Sequence, residues 1–261
     1  MNLLALPAFT DNYIWMIHDG HQALVVDPGD ATPVLETLQH LGLELSAILV
    51  THRHLDHVAG LARLRPVLKG QVYGPSNSVI EGIDVHLKEG DQVTFQGTSF
   101  EVWDTPGHTA DHISYLARRA DSQPAQPPLL FCGDTLFSAG CGRLYDGTIE
   151  QLFTAIQRIK QLPDNTVICC THEYTLDNLR FARAVEPDNA AMSQYEQRCQ
   201  QLRRDGQATL PTTVRTELSL NPYLRCDQAT VIKSAQQHGA PDSTALSVFT
   251  ALRQWKNTFQ T

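Results

Sequence analysis

Thr51-His52-Arg53-His54-Leu55-Asp56-His57 places three histidines and one aspartate in seven positions. The stretch runs on from SAILVT (46–51), an apolar run with β-branched residues that reads as a buried strand. DHVAGLARL (56–64) predicts a helix, with Asp56 near its N-terminus, where the helix dipole favours an acidic side chain. The cluster therefore sits at the C-terminal end of a strand, the place where open α/β sheets carry their sites.

Further out, NYIWMI (12–17) and QALVVD (22–27) flank Asp19-Gly20 and predict a hairpin. PVLETLQHLG (33–42) has helical spacing and a glycine stop. VTFQGTSFEVWDT (93–105) is a second hairpin, broken by Pro106-Gly107, and ISYLAR (113–118) and PPLLFCGD (127–134) are two more strands. RRADSQPAQPP (118–128) reads as a polar, proline-rich surface loop. IEQLFTAIQRIKQL (149–162) is an amphipathic helix and TVICCT (166–171) a buried strand. Strands and helices mixed in this way predict a layered α/β architecture. After about residue 174 the pattern turns mostly helical, clearest in AMSQYEQRCQQLRRDG (191–206) and STALSVFTALRQWKNTF (243–259). We therefore expect a catalytic domain over 1–173 and a smaller helical domain over 174–261.

The 261 residues are 42% apolar and 18% charged, enough for a sizeable core. A formal net charge of −8 argues against nucleic acid as partner, because phosphate backbones are held by clustered Lys and Arg. The apolar N-terminal run breaks at Pro7 and Asp11, too early for a secretory signal, and no run approaches a membrane span of about 20 residues. Six cysteines with no CxxC pair read as reduced thiols. A cytoplasmic monomer is the expectation.

Histidine is the commonest metal-binding side chain, and aspartate adds hard anionic oxygen. His52 and His54 are two apart, so in extended backbone both rings converge on one ion. Asp56 and His57 point elsewhere and suit a second ion. Three later segments place a His or Asp directly after a strand: His108 in TPGHT, Asp134 in FCGDT and His172 in CCTHEY. Together these give five His and two Asp, enough for two ions with one shared ligand. Alternation should turn Arg53 away from them. His112 reads as a supporting histidine rather than an eighth ligand. His18, His21, His40, His86 and His238 read as solvated, and Cys169-Cys170 as small apolar residues. Cys141 lies between glycines with no base evident beside it.

In this order and spacing, THxHxDH (51–57), PGHT (106–109), GDTLF (133–137) and HEY (172–174) resemble the metallo-β-lactamase superfamily. GDTLFSAGCGRLYDGT (133–148) and THEYT with NLRFA (171–182) sharpen the likeness to glyoxalase II, the hydroxyacylglutathione hydrolases, over essentially the whole chain. That resemblance implies an αββα sandwich with a C-terminal helical domain. It implies one ion on His52, His54 and His108, another on Asp56, His57 and His172, and Asp134 bridging both together with a hydroxide. Asp56 and Asp134 are then the catalytic carboxylates. The ions would be divalent, Zn first, with Fe or Mn also compatible. The implied reaction is hydrolysis of S-D-lactoylglutathione to glutathione and D-lactate, in methylglyoxal detoxification. Arg143, Tyr145, Tyr174, Arg253 and Lys256 match the family's glutathione-binding positions; Arg253 and Lys256 are one helical turn apart. Arg53 replaces a frequent His, Arg143 a frequent Lys, and Asn257 a frequent Asp. The rivals are another hydrolase of the same fold, a lactonase or phosphodiesterase, and a one-iron glutathione persulfide dioxygenase.

Overall fold

The structure is a computed structural model that describes residues 1–119 and 126–259. The first sheet runs in chain order through β1 (Asn2–Ala8), β2 (Asn12–His18), β3 (Gln22–Val26), β4 (Glu44–Leu49), β5 (Gln71–Pro75) and β6 (Val85–Leu87). β1, β2 and β3 are antiparallel, and β3 to β6 are parallel. The second sheet contains β7 (Gln92–Phe95), β8 (Thr98–Asp104), β9 (Ile113–Arg119) and β10 (Leu129–Phe131). A short hairpin, β11 (Leu136–Phe137) and β12 (Gly140–Cys141), stands apart. β13 (Val167–Cys169) lies parallel to β10, and β14 (Thr212–Thr213) closes that edge of the second sheet. The helices are α1 (Ala31–Leu41), α2 (Leu55–Val58), α3 (Leu61–Leu64), α4 (Ile149–Lys160), α5 (Thr175–Val185), α6 (Ala190–Arg204), α7 (Val214–Leu220), α8 (Ala229–Gln237) and α9 (Ala245–Thr258).

The layering follows from strand periodicity. Side chains alternate across a strand, so a strand buried on both faces feeds two cores. Tyr13, Trp15, Ile17, Leu24, Val26, Ala47 and Leu49 point into the core shared with Phe100, Val102, Tyr115, Leu130 and Ile168 of the second sheet. Their neighbours Ile14, Met16, Ala23, Val25, Leu45 and Ile48 pack instead against Val34 and Leu38 of α1 and Leu61 and Leu64 of α3. Each fully buried aliphatic side chain of this kind contributes about 1.5–3 kcal/mol. Leu152, Ile156 and Ile159 of α4 and Phe181 of α5 join the core of the second sheet. The result is the αββα sandwich, with helices after residue 174.

Helix ends follow local chemistry. Asp30 caps α1 through Thr32 N, and Gly42 ends it at φ 66°. Thr148 and Gln151 form a reciprocal capping box on α4. The expected single helix over 56–64 is instead two short ones. Gly60 N donates to the Pro28 carbonyl at 3.0 Å, and a Cβ at Gly60 would stand 2.3 Å from that oxygen. The loop after β3 thus presses on the backbone and splits the helix. With only one turn in α2, a helix dipole is not what holds Asp56. Its carboxylate accepts from Asn12 Nδ2 at 3.0 Å. Two further expectations differ. Residues 2–8, read only as an apolar run, form β1, and His18, expected to be solvated, is buried in β2. The loop expected over 118–128 lies largely outside the described residues.

Cross-links between the sheets gather at the C-terminal ends of β4 and β13. Ile113 N donates to Thr51 O (2.9 Å), Tyr13 N to Thr171 O (2.6 Å) and Trp15 Nε1 to Cys170 O (3.0 Å). Nearby, a Cβ at Gly29 would stand 1.8 Å from the Asp56 carbonyl oxygen. Gly29→Ala is therefore expected to push the Asp56 segment outward and destabilise the fold by about 1–3 kcal/mol, as overpacking does. A urea unfolding midpoint equal to that of the parent would contradict this.

Candidate metal centre

The residues singled out in the sequence come from separate loops at one rim. His52, His54, Asp56 and His57 follow β4, His108 follows β8, Asp134 follows β10 and His172 follows β13. The structure brings all seven together. Potential ligand atoms of His52, His54 and His108 lie within 4.8 Å of one another, and so do those of Asp56, His57 and His172. Asp134 stands between the two groups. Its carboxylate oxygens are 3.4 Å from the Nε2 atoms of His57, His108 and His172.

Four of the five histidines share one pattern: one ring nitrogen has a partner behind it and the other faces the cluster. Nδ1 of His52 meets Thr51 Oγ1 (3.0 Å), and Nδ1 of His108 meets the Arg143 carbonyl (2.7 Å). Nδ1 of His57 lies 3.0 Å from Asp27 Oδ2, an ion-pair contact without hydrogen-bond alignment, and Nδ1 of His172 meets Asp11 Oδ1 (2.9 Å). Such partners fix the tautomer and the ring orientation of metal-binding histidines. The buried Nε2 atoms of His52 and His57 have no hydrogen-bond partner among the described residues. His108 Nε2 and His54 Nδ1 stand 3.0 Å apart, two nitrogens aimed at one point. Orphaned, converging nitrogens beside carboxylates fit divalent cations with N and O ligands. The cluster is compatible with a dinuclear metal site.

The electrostatics divide the histidines. Burial holds His52 well below the usual imidazole range and lowers His108. Burial also opposes a charge on His57, but Asp134 and Asp27 outweigh it and push the imidazole up to about 9. His172 is raised against its burial by Asp134 and Asp11. For Asp134 itself, burial works against ionisation, yet His57 and His172 hold its carboxyl well below the usual range.

Several partners escaped sequence reading. Asp27, in VVDPGD, directly follows the end of β3, the same positional signal that marked the cluster residues. Asp11 and Asn12 carried no local signal; only the pairing of Asn12 with His172 brings them in. His112 is used within the protein: Nε2 accepts from Asp134 N (3.0 Å) and Nδ1 meets Thr105 Oγ1 (3.0 Å). Cys141 is buried, and burial raises its thiol pKa.

The positions linked to glutathione surround the cluster unevenly. The Tyr145 ring, exposed, stands edge-on to His54 and His108 at 4.7 and 5.0 Å. Tyr174 stacks on His172 at 4.7 Å. Arg143 is exposed. Arg253, readable from its helix as a solvated residue, is buried and donates to the carbonyls of Cys141 (3.2 Å) and Gly142 (3.4 Å). Asn257 accepts from its Nη2 at 3.1 Å, and Lys256 Nζ reaches the Asp177 carbonyl at 3.4 Å.

Arg53 does turn away from the cluster. Its guanidinium donates to Asp111 (2.7 Å) and to Asp146. Arg53→Ala is expected to keep both ions; metal analysis showing loss of either would contradict this.

Two family models match the chain. Residues 8–172 match the metallo-β-lactamase superfamily, and residues 173–259 match the hydroxyacylglutathione hydrolase C-terminus. The hydroxyacylglutathione hydrolase of Albidiferax ferrireducens is 51% identical over 259 residues, covering 99% of this chain and all of that one. That of Pseudomonas aeruginosa is 49% identical, covering 98% of each chain. The crystal structure of ETHE1 from Myxococcus xanthus aligns with a TM-score of 0.67 at 24% identity, covering 98% of this chain and 92% of that one, a likeness of fold. With the cluster on one model and the helical region on the other, the chain belongs to the hydroxyacylglutathione hydrolase family of the metallo-β-lactamase superfamily.

Proposed function

We propose that this chain hydrolyses the thioester S-D-lactoylglutathione to glutathione and D-lactate, the hydrolytic step of methylglyoxal detoxification. The observation that carries the reading is one loop. It begins with Asp134, in the middle of the cluster, and seven residues later offers the carbonyls that seat Arg253. Hydrolytic centre and cationic arm are thus joined within a few residues.

His52, His54 and His108 would hold one divalent ion, Asp56, His57 and His172 a second, and Asp134 would reach both. Bound there, two such ions would supply Lewis acidity and lower the pKa of water to about 7, making hydroxide available at neutral pH. The chain's own residues set the rest. Thr171 donates to Asp134 Oδ1 at 2.6 Å and fixes the carboxylate between the two groups of ligands. Tyr145 and Tyr174 wall the opening above His54, His108 and His172. Arg253 and Lys256 bring positive charge from α9 toward the carboxylates of the glutathione arm, with Arg143 on the exposed side. A thiolate leaves readily, since its conjugate acid has a pKa of about 8.5, so no buried general acid is required.

The division of labour follows: residues 1–173 would carry the chemistry and 174–261 would complete the thioester's binding site. All six cysteines are free and buried, which supports a reducing compartment, the cytoplasm. No helix among the described residues is long and apolar enough to cross a membrane. We propose a monomer, with zinc as the first metal to test.

The test is a thioester assay with S-D-lactoylglutathione, paired with metal analysis of the same sample. Turnover with two ions per chain is expected, whereas one ion per chain would favour the persulfide dioxygenase. Asp134→Ala is expected to abolish turnover, and retained activity would remove this mechanism. Replacing both Arg253 and Lys256 with Ala is expected to raise KM about tenfold or more, at about 1.4 kcal/mol per factor of ten. An unchanged KM would sink the glutathione assignment.

A further inference from the structure

A buried carboxylate lies behind the site and is used by nothing described so far. Glu217, on α7, is fully enclosed. Its Oε1 accepts from two hydroxyls, Ser138 Oγ (3.0 Å) and Thr212 Oγ1 (2.7 Å). Its Oε2 accepts from two N–H donors, Ala139 N (2.8 Å) and Asn221 Nδ2 (2.9 Å). Four donors on one carboxylate make a complete shell, which a buried charge requires.

Two of those donors, Ser138 and Ala139, form the turn of the β11–β12 hairpin. Ala139 has φ 58°, a left-handed conformation that a residue with a Cβ seldom adopts unless its surroundings hold it there. The other contacts to this turn also come from the helical region. Asn221 Nδ2 donates to the carbonyls of Phe137 (3.2 Å) and Gly140 (3.0 Å), and Asn178 Nδ2 to that of Ser138 (3.1 Å). The strand leaving the turn ends at Cys141, and the carbonyls of Cys141 and Gly142 receive Arg253.

We propose that Glu217 is a positioning residue for substrate binding: by clamping the hairpin turn it sets the two carbonyls that aim Arg253 at the thioester's glutathione arm. Among the described residues Glu217 makes no hydrogen bond or ion pair with the histidine cluster, so its effect should fall on binding rather than on the ions. The inference rests on the thioester reading above.

The chemistry of the shell supplies the control. Gln at 217 keeps an acceptor for the two N–H donors and offers an NH2 to the two hydroxyls, which can turn to accept. Ala at 217 removes both. KM, kcat and metal content are to be measured with S-D-lactoylglutathione for the parent chain, Glu217→Ala and Glu217→Gln. For Glu217→Ala we expect KM to rise about tenfold, equivalent to about 1.4 kcal/mol. Its kcat should stay close to the parent value, with full metal content. Glu217→Gln should restore KM. An unchanged KM in Glu217→Ala, no rescue by Gln, or metal loss in step with KM would each overturn the proposal. Should Glu217→Ala fail to fold, Asn178→Ala removes a single bond to the same turn. A smaller rise in KM at parental kcat is then expected, and an unchanged KM overturns the proposal. Absence of turnover in the parent chain would take down the functional reading and this one together. An active parent with an unresponsive Glu217→Ala sinks the positioning role alone.

Discussion

The site depends on one demanding requirement, the burial of the Asp134 carboxylate. A charge removed from water is tolerated only when partners surround it. Here Thr171 donates to it, three imidazoles stand at 3.4 Å, and its backbone N–H is received by His112. These partners come from three loops, those after β4, β8 and β13. The sandwich is the frame that lets loops so far apart in sequence meet around one carboxylate.

That frame works because its two sheets are joined at the rim as well as through the core. Backbone and indole bonds from Ile113, Tyr13 and Trp15 span the layers beside the cluster. Strands β2 to β4 are buried on both faces and cannot slide by one residue without exchanging two cores. Register is thus strongly specified where the ligand loops leave the sheets.

Much of this was legible in the sequence, for identifiable reasons. His52, His54, Asp56, His57, His108, Asp134 and His172 were visible because metal-ligating residue types recur directly after apolar strands. The α1 stop at Gly42 and the β2–β3 hairpin followed from turn chemistry. The split of 56–64 into α2 and α3 was not legible, because its cause is the carbonyl of Pro28, brought in by another loop. Arg253 shows the same limit. Helical spacing gives its face but not what packs there, and burial against Cys141 and Gly142 is a tertiary fact. Asp11 and Glu217 escaped for a like reason: an isolated acidic residue has no periodicity to read.

The groups behind the histidines carry one further consequence. His52 and His108 are backed by neutral oxygens, a threonine hydroxyl and a peptide carbonyl. His57 and His172 are backed by the carboxylates of Asp27 and Asp11. The second pair is the more basic, as the opposite directions of their pKa shifts indicate. Cations offered to the cluster would therefore meet two unequal pockets. The pocket of Asp56, His57 and His172 has one carboxylate among its own residues and two more behind its rings, whereas His52 and His108 in the other pocket have only neutral oxygens behind theirs.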